Sequence, residues 1–435
     1  FFRPSSMRHQ PIDPQLFSKN RERLINSLPI NCLAILNAND LMPSNADGTL
    51  PYHPNSDLFY LSGIEQEESI LVIQPGAEKP RDRAHLFLRK PNPKLTLWEG
   101  YKLSKADART VSSIYYVHWI DDFAQVFAKL ARIQKGAFFL NDNEHQREEN
   151  PVETRDQRFR NSLRNRYTKR RFLRLAPHLH TLRFNKDNRE ITLIKQAVNI
   201  TANTFKDILT TIKPGVMEYE IEAEWARAFI RKRCKFAYGP IIASGKNACI
   251  LHYLQNDQPC KKGDLLLMDV GACYANYNAD LTRSIPVNGK FSPRQKQVYQ
   301  AVLRVLRKSI SGATAGKEIK QWNTEAHEMM NEELVDLKLV SLKDLKKQKP
   351  NRPACRKYFM HGLGHSLGLD VHDVSIGQTH LNEGAVFTVE PGIYIPEEGL
   401  GIRLEDNIVI SGDQPINLMT EAPLEPNEIE ERMNP

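Results

Sequence analysis

Four acidic residues follow or end apolar, strand-like segments in the second half of the chain, and a glycine-rich motif with three histidines lies among them. The acids are Asp269 in LLLMDVG, Asp280 in NADLTRS, Glu390 in VFTVEPGIYI and Glu405 in GIRLEDNIVI. The motif HGLGHSLGLDVHD contains His361, His365 and His372. A buried carboxylate costs free energy unless it is compensated. A fold that gathers these segments therefore needs cations where they meet.

The four acids and one histidine make up an oxygen-rich set of metal ligands. Their charge balances two divalent cations, and hard oxygen donors suit Mn²⁺ or a similar ion better than a thiolate-type zinc site. Each residue alone has an ordinary alternative, such as a capping role for an aspartate at a strand end. For Glu405 the alternative is a buried ion pair with Arg403, two residues earlier on the same strand face. Metal best resolves the mutual repulsion of all four carboxylates.

The length of 435 residues predicts two domains. No apolar run approaches the ~20 residues of a membrane helix, and the N-terminus shows no signal-peptide pattern, so we expect no membrane contact. The six cysteines include no Cys-x-x-Cys pair. In a chain of this size, such cysteines indicate reduced thiols and a cytoplasmic location.

One segment, residues 155–174, has nine Lys or Arg and one acid, which equals the whole net charge of +8. We predict a single basic helix there. Such a helix is more often a solvated face or a subunit contact than a nucleic-acid site, and no aromatic stacking platform is interleaved with it. We therefore expect no nucleic-acid partner.

The first domain, residues 1–180, alternates short apolar runs with turn residues. The runs CLAILNAND, SILVIQPG and AHLFLRKPN predict buried strands, and residues 18–27 and 121–133 predict helices. This alternation predicts an α/β domain with a partly parallel sheet. Residues 175–190 predict a linker to the next domain.

The second domain, residues 181–435, has three long helical segments at 187–212, 218–234 and 292–313. The first opens with Asp187 and Glu190 in a capping-box pattern. Residues 264–287 predict two paired strands joined around YANYN, and further pairs of apolar strands follow. The pattern favours an α+β domain with helices packed on an antiparallel sheet whose other face holds the site.

These blocks resemble the pita-bread metallopeptidases, and specifically the proline-directed branch of aminopeptidase P and prolidase. The resemblance spans nearly the whole chain. Residues 52–73 and 95–104 are similar to the N-terminal domain of that branch. The catalytic blocks follow in family order: IKPGVMEYEIEAE, SGKNACILHY, LLLMDVGACYANYNADLTRS, HGLGHSLGLDVHD, VEPGIYI and GIRLEDNIVI. The resemblance implies a catalytic pita-bread domain that cleaves the bond before a proline in the second position of a peptide.

The resemblance also implies roles for individual residues. Asp280 and Glu405 would bridge two metal ions, Asp269 would complete one ion, and His365 with Glu390 the other. Glu390 would move a proton to the leaving imino nitrogen, and His372 would stabilise the oxyanion. Further residues would shape the pocket for the proline ring: His252, in a strand-like context, His361, Tyr394 and Arg403. Trp98 would close that pocket from a neighbouring subunit of a dimer or tetramer.

Three readings compete for this sequence. A dinuclear Xaa-Pro aminopeptidase fits the complete ligand set, and the segments around LWEGYKL and RPACRKYFMHGLGH favour it over prolidase, an Xaa-Pro dipeptidase. Gly364 and Ser366 fit prolidase equally well. A catalytically dead pita-bread binding module usually lacks several ligands. A nucleic-acid protein would rest on the basic segment alone.

Overall fold

The structure, a computed structural model, describes residues 9–145, 152–349 and 352–434. Its contacts divide the chain into two compact units. One contains the described residues up to Arg183 together with Val374–Gly377, and the other contains Phe184–Asp373 and the residues from Gln378 onwards.

The first unit is an α/β domain around one mixed sheet. In chain order its elements are α1 Gln15–Ser27, β1 Leu33–Asn37, α2 Ser56–Ser62, β2 Ile70–Ile73, β3 Ala84–Leu88, α3 Pro93–Glu99, α4 Lys105–Ser112, β4 Tyr116–Trp119, α5 Phe123–Ile133, β5 Phe138–Leu140, α6 Arg155–Arg166, β6 Phe172–Arg174 and α7 Ala176–Phe184. The strand order is β4-β3-β2-β1-β5-β6. β1 is parallel to β5 and antiparallel to β2. The prediction of a partly parallel sheet is therefore confirmed.

The three apolar runs predicted as strands form β1, β2 and β3, and every residue of these strands is buried. Their side chains pack with α5 in one core that includes Ile35, Phe87, Phe127 and Leu130. The helix predicted at 121–133 begins at Phe123, after a 3-10 turn at Ile120–Asp122. The apolar runs thus identified strands that are buried along their whole length.

Two predictions for residues 155–190 are wrong. The basic segment 155–174 is not one helix, because α6 ends at Arg166 and β6 adds to the edge of the sheet. Its arginines contact local acids: Arg158 pairs with Asp40 and Arg160 with Asp142. The expected linker at 175–190 contains the helix α7.

The second unit combines long helices with short antiparallel sheets. Its elements are α8 Asn188–Ile208, α9 Glu218–Arg231, β7 Lys235–Phe236, β8 Ile241–Ser244, β9 Leu265–Asp269, β10 Ala272–Tyr274, β11 Tyr277–Asn278, β12 Thr282–Pro286, α10 Pro293–Ser311, α11 Ile319–Asp336, α12 Leu342–Lys347, β13 Val386–Val389, β14 Gly392–Ile395, β15 Leu400–Arg403, β16 Asp406–Val409, β17 Ile416–Asn417 and α13 Pro426–Met433. The sheets have the orders β12-β9-β8, β13-β16-β17, β14-β15 and β11-β10-β7.

The three long helices predicted from periodicity correspond to α8, α9 and α10, each ending two to four residues earlier than predicted. Asp187 accepts a hydrogen bond from the Arg189 N–H, and Glu190 closes the capping box. The predicted pairing within residues 264–287 is also confirmed, since β9 and β12 are antiparallel with Asp269 opposite Thr282. The connection is longer than predicted, because YANYN forms its own hairpin of β10 and β11, with Ala275 and Asn276 at positive φ.

Among the helices of the described ranges, none combines the length and apolarity that a bilayer crossing needs.

Candidate metal centre

The ladder of β9 and β12 places the first two acids beside each other. Asp269 ends β9, and Asp280 precedes β12 by two residues. Asn407 fixes the backbone of Asp280 from both sides: its Oδ1 accepts the Asp280 N–H at 3.0 Å, and its Nδ2 donates to the Asp280 carbonyl at 2.7 Å. The Tyr238 hydroxyl contacts carboxylate oxygens of both Asp269 and Asp280. A hydroxyl has one proton to donate, so it can satisfy only one of these two oxygens at a time.

Glu405 enters the same place from the connection between β15 and β16. Its N–H donates to the Thr282 carbonyl at 3.0 Å, and the Thr282 hydroxyl donates to Oε2 at 2.6 Å. Its other oxygen, Oε1, is buried and has no hydrogen-bond partner among the described residues. A buried carboxylate oxygen without a donor is destabilising unless a cation satisfies it. The oxygen is therefore available to a bound cation.

The alternative to metal ligation, an ion pair between Arg403 and Glu405, is not formed. The Arg403 guanidinium instead pairs with Asp269 through Nη2, while Nε donates to the Thr282 hydroxyl at 3.0 Å. Both Arg403 and Glu405 are buried, but their charged groups turn to different partners. One cation thus faces the carboxylate pair from one side, which leaves most of the negative charge uncompensated.

His365 reaches the acids from the glycine-rich motif. Its Nδ1 lies 3.1 Å from the Ser366 carbonyl, which assigns the ring proton to Nδ1 and leaves a lone pair on Nε2. Nε2 lies 3.5 Å from Asp280 Oδ2 and 3.7 Å from Glu390 Oε1. A Cβ at Gly364 would stand 2.0 Å from the Thr388 carbonyl oxygen, so a glycine is required for this approach. The tautomer and the direction of the ring suit metal ligation.

The structure brings three of the five predicted ligands into one cluster and places the other two beside it. Ligand atoms of Asp280, His365 and Glu405 lie within 4.8 Å of one another. Glu390 adjoins this group through His365, and Asp269 adjoins it through Tyr238. Burial, and then the charges of neighbouring carboxylates, raise the pKa values of Asp280 and Glu405 well above their ordinary range. Such a donor set fits a pair of divalent cations, which would remove this repulsion.

A second hydrogen-bonded chain lies beside the acids. Arg403 Nη1 donates to the Tyr394 hydroxyl oxygen at 2.9 Å, and that hydroxyl lies 2.8 Å from His361 Nε2. Since His361 Nδ1 lies 2.8 Å from the Gly362 carbonyl, the Tyr394 hydroxyl donates to Nε2. Burial, and then the charge of Arg403, lower the pKa of His361 to about 3. His361 is therefore neutral at physiological pH.

The other predicted site residues lie in different surroundings. The ring centroids of His372 and His365 are 4.2 Å apart. His252 is exposed, in a loop that follows the 3-10 turn Gly245–Cys249, so the strand-like context predicted for it is wrong. Trp98 lies in α3 of the first unit with 79% of its surface exposed.

Some residues that organise the site were not singled out by the motifs. Thr282, Thr388 and Asn407 each lie two positions from a predicted ligand, where strand periodicity returns a side chain to the same face, and this spacing is a usable signal. Tyr238 gave no such signal, because it precedes Asp269 by 31 residues.

Comparisons with known proteins agree on one set of relatives. Residues 192–412 match the model of metallopeptidase family M24, and residues 17–138 match the aminopeptidase P N-terminal domain. The Xaa-Pro aminopeptidase of Haemophilus influenzae is 35% identical over 96% of this chain and 97% of its own. A putative aminopeptidase P from Bacillus anthracis superposes with a TM-score of 0.89 at 32% identity, covering 97% of this chain and 98% of the other. Zinc-substituted Escherichia coli aminopeptidase P in complex with product gives 0.87 at 30% identity, covering 98% and 99%.

Proposed function

Because the chain belongs to metallopeptidase family M24, in the branch of the Xaa-Pro aminopeptidases, we propose that its metal centre cleaves the bond before a proline in second position and so releases the N-terminal residue. Family membership makes the protein a hydrolase of the metalloaminopeptidase class. The observation that carries the proposal is the convergence of Asp280, His365 and Glu405, with a buried, unpartnered oxygen on Glu405. A dead binding module would have no use for this arrangement.

We propose Mn²⁺ as the metal, held by Asp269, Asp280, His365, Glu390 and Glu405. Four carboxylates and one imidazole favour a hard divalent ion. Two such ions, when bound, supply Lewis acidity that polarises a carbonyl and lowers the pKa of water.

The protein side chains then orient the peptide and move the proton. Glu390 is half-buried, with Oε2 3.9 Å from His361 Nδ1, so its carboxylate can reach both solvent and the site. We assign it the transfer of a proton to the leaving imino nitrogen. The ring of His372 is tilted by 59° against that of His365, and we assign His372 the donation of a hydrogen bond to the developing oxyanion. His252, His361, Tyr394 and Arg403 would shape the pocket for the proline ring, with His361 as a neutral wall fixed by the hydroxyl of Tyr394.

Cleavage should require proline in the second position and a free α-amine. A bond before proline has no N–H on its leaving side, and a pocket shaped for the ring rejects other side chains. The amine is expected near Asp269. We would compare Ala-Pro-Ala, Ala-Ala-Ala and N-acetyl-Ala-Pro-Ala at one enzyme concentration, after reconstitution with Mn²⁺. Only the first should be hydrolysed rapidly.

Two outcomes of that comparison would change the assignment. Equal rates on all three peptides would show that neither the proline pocket nor the amine anchor exists. A fourth substrate, the dipeptide Ala-Pro, distinguishes the two branch activities. Faster hydrolysis of Ala-Pro than of Ala-Pro-Ala would identify a prolidase instead.

We also propose a homo-oligomer in which Trp98 of one subunit reaches the site of a neighbour. Leu97, Trp98 and Tyr101 are exposed by 80%, 79% and 54%, and an apolar patch of this kind commonly marks an interface. Light scattering should give a multiple of the monomer mass, and Trp98→Ala should raise KM for Ala-Pro-Ala. A monomer with unchanged KM in the variant would contradict this proposal.

We also propose a location for the protein. All six cysteines are free thiols, which is typical of a reducing compartment, and we therefore propose the cytoplasm.

A further inference from the structure

Glu218 is a buried acid outside the metal centre, and its carboxylate binds four hydrogen-bond donors. Oε1 accepts the backbone N–H of Ser244 at 2.7 Å and the Ser244 hydroxyl at 2.7 Å. Oε2 accepts the Tyr253 hydroxyl at 2.8 Å and the backbone N–H of Gln258 at 2.9 Å. A carboxylate has about four lone-pair sites, so these contacts use its full accepting capacity.

The four donors come from three residues that lie at the start, at the centre and near the end of one segment, residues 244–258. Ser244 ends β8 immediately before the loop, Tyr253 lies at its centre, and Gln258 is near its far end. The Glu218 N–H adds a fifth bond, to the Gln258 carbonyl at 3.0 Å. The first residue of α9 therefore ties together the start, the centre and the end of residues 244–258.

His252 lies inside this loop, directly before Tyr253. Its ring is exposed, and its charge acts on the pKa of His361, so the conformation of the loop determines how His252 faces the site. Tyr253 also packs in an apolar cluster with Ile241, Leu267 and Tyr394. Tyr394 is the residue whose hydroxyl contacts both His361 and Arg403. Tyr253 thus contacts Glu218 through its hydroxyl and packs in the same cluster as Tyr394, which lines the site.

A second contact from the same helix supports this arrangement. Asn256, at φ +48°, accepts the Ile242 N–H at 3.0 Å through Oδ1. Its Nδ2 donates to Glu222 Oε2 at 2.8 Å and to the Pro240 carbonyl at 3.0 Å. Two acids one helical turn apart on α9 therefore constrain the loop that carries His252. An apolar residue at 218 could fill the same space but could not fix the loop in this way.

We propose that Glu218 is a positioning residue, which holds His252 where it contacts the substrate on the proline side of the scissile bond. This inference rests on the proposed function. It assigns to Glu218 no contact with substrate or metal. Its effect on catalysis passes through the loop and His252.

The test is a double-mutant cycle between Glu218→Gln and His252→Ala. The amide keeps the shape of the side chain but replaces one accepting oxygen with a donor, so at least one loop donor loses its partner. Each single variant should lose on the order of 10²-fold in kcat/KM for Ala-Pro-Ala, mainly through KM, as a displaced binding group does. The double variant should be no worse than His252→Ala, and metal content should stay at the wild-type level. Glu224→Gln is the matched control, because Glu224 is a partly exposed acid on the same helix that pairs with Arg227 and not with the loop.

Several results would overturn the proposal. Losses that multiply in the double variant would show that Glu218 acts independently of His252. Wild-type kinetics in Glu218→Gln would remove the role altogether. If Glu218→Gln does not fold, Tyr253→Phe deletes only one of the four bonds and should raise KM in the same direction, and an unchanged KM there counts against the proposal.

A second measurement separates this inference from the proposed function. Amide hydrogen exchange in residues 245–258 should be faster in Glu218→Gln than in the wild type, whereas exchange in α8 should be unchanged. Inactivity of the wild-type protein on every Xaa-Pro peptide would defeat the proposed function and leave the exchange result intact. Unchanged exchange in the loop would defeat the inference whether or not the enzyme is active.

Discussion

Removal of divalent metal by a chelator should abolish hydrolysis of Ala-Pro-Ala and lower the thermal midpoint, and Mn²⁺ should restore both best. Asp280 and Glu405 lie buried beside two more carboxylates, so the metal-free site contains strong like-charge repulsion. A ligand at a hundredfold excess over its Kd stabilises a folded protein by about 2.7 kcal/mol. In a unit of this size each kcal/mol moves the midpoint by about 2–4 °C. Differential scanning fluorimetry and a peptidase assay on the same samples measure the two effects.

The pH dependence of the metal-free protein gives an independent check. The folded-state pKa values of Asp280 and Glu405 lie above their unfolded values, so the folded protein binds more protons than the unfolded chain between those values. Stability therefore falls as the pH rises above the ordinary pKa of a carboxyl group, and metal-free protein should melt higher at pH 5 than at pH 8. Metal ligands must be deprotonated, so the gain in midpoint on adding Mn²⁺ should be larger at pH 8.

Full activity in protein shown to be metal-free by elemental analysis would refute the mechanism. A midpoint that does not respond to metal would show that the buried carboxylates are compensated by protein groups alone.

Substitution of the metal ligands should have a different signature from substitution of the oxyanion donor. His365→Ala and Glu405→Ala should each lose bound metal together with activity, because His365 Nε2 faces the carboxylates and Glu405 Oε1 is buried without a hydrogen-bond partner in the described ranges. His372→Ala should keep its metal and lose about 10²–10³-fold in kcat, which is the usual effect of removing an oxyanion donor. Metal content by mass spectrometry, measured beside kcat for each variant, separates the two classes.

His380→Ala is a suitable control, because His380 is exposed and is not among the predicted site residues. It should match the wild type in both metal content and rate. If His372→Ala loses metal as fully as His365→Ala does, the roles assigned to the two histidines are wrong.

The parts of the fold that could be predicted from the sequence are those in which apolar residues dominate. β1, β2 and β3 are buried throughout, and α8 and α10 have one buried face, so their periodicity is plain. Segment 155–174 was predicted wrongly because its basic residues continue past the point at which the helix ends and a strand begins. Phe172 and Leu173 join the sheet edge, while the arginines before them pair with acids elsewhere in the chain.

The same distinction applies to the site. Each ligand stands in a local motif with a recognisable pattern, so the five donors could be proposed from the sequence. Their partners are set by tertiary contacts. Arg403 could reach Glu405 along its own strand, but the structure turns it towards Asp269, 134 residues away. Tyr238, which contacts two of the acids, lies in a segment with no polar pattern.

The contacts between distant segments also determine when the metal site can form during synthesis of the chain. Glu405 bonds to Thr282, and Asn407 bonds to Asp280, so residues 405–407 supply both a proposed ligand and the contact that fixes an earlier one. A ribosome adding about 5–20 residues per second presents Asp269 roughly ten seconds before Glu405. During that interval the growing chain holds acids that have no partners and no finished cavity. We therefore expect the complete metal site to form only after the last strands have been synthesised.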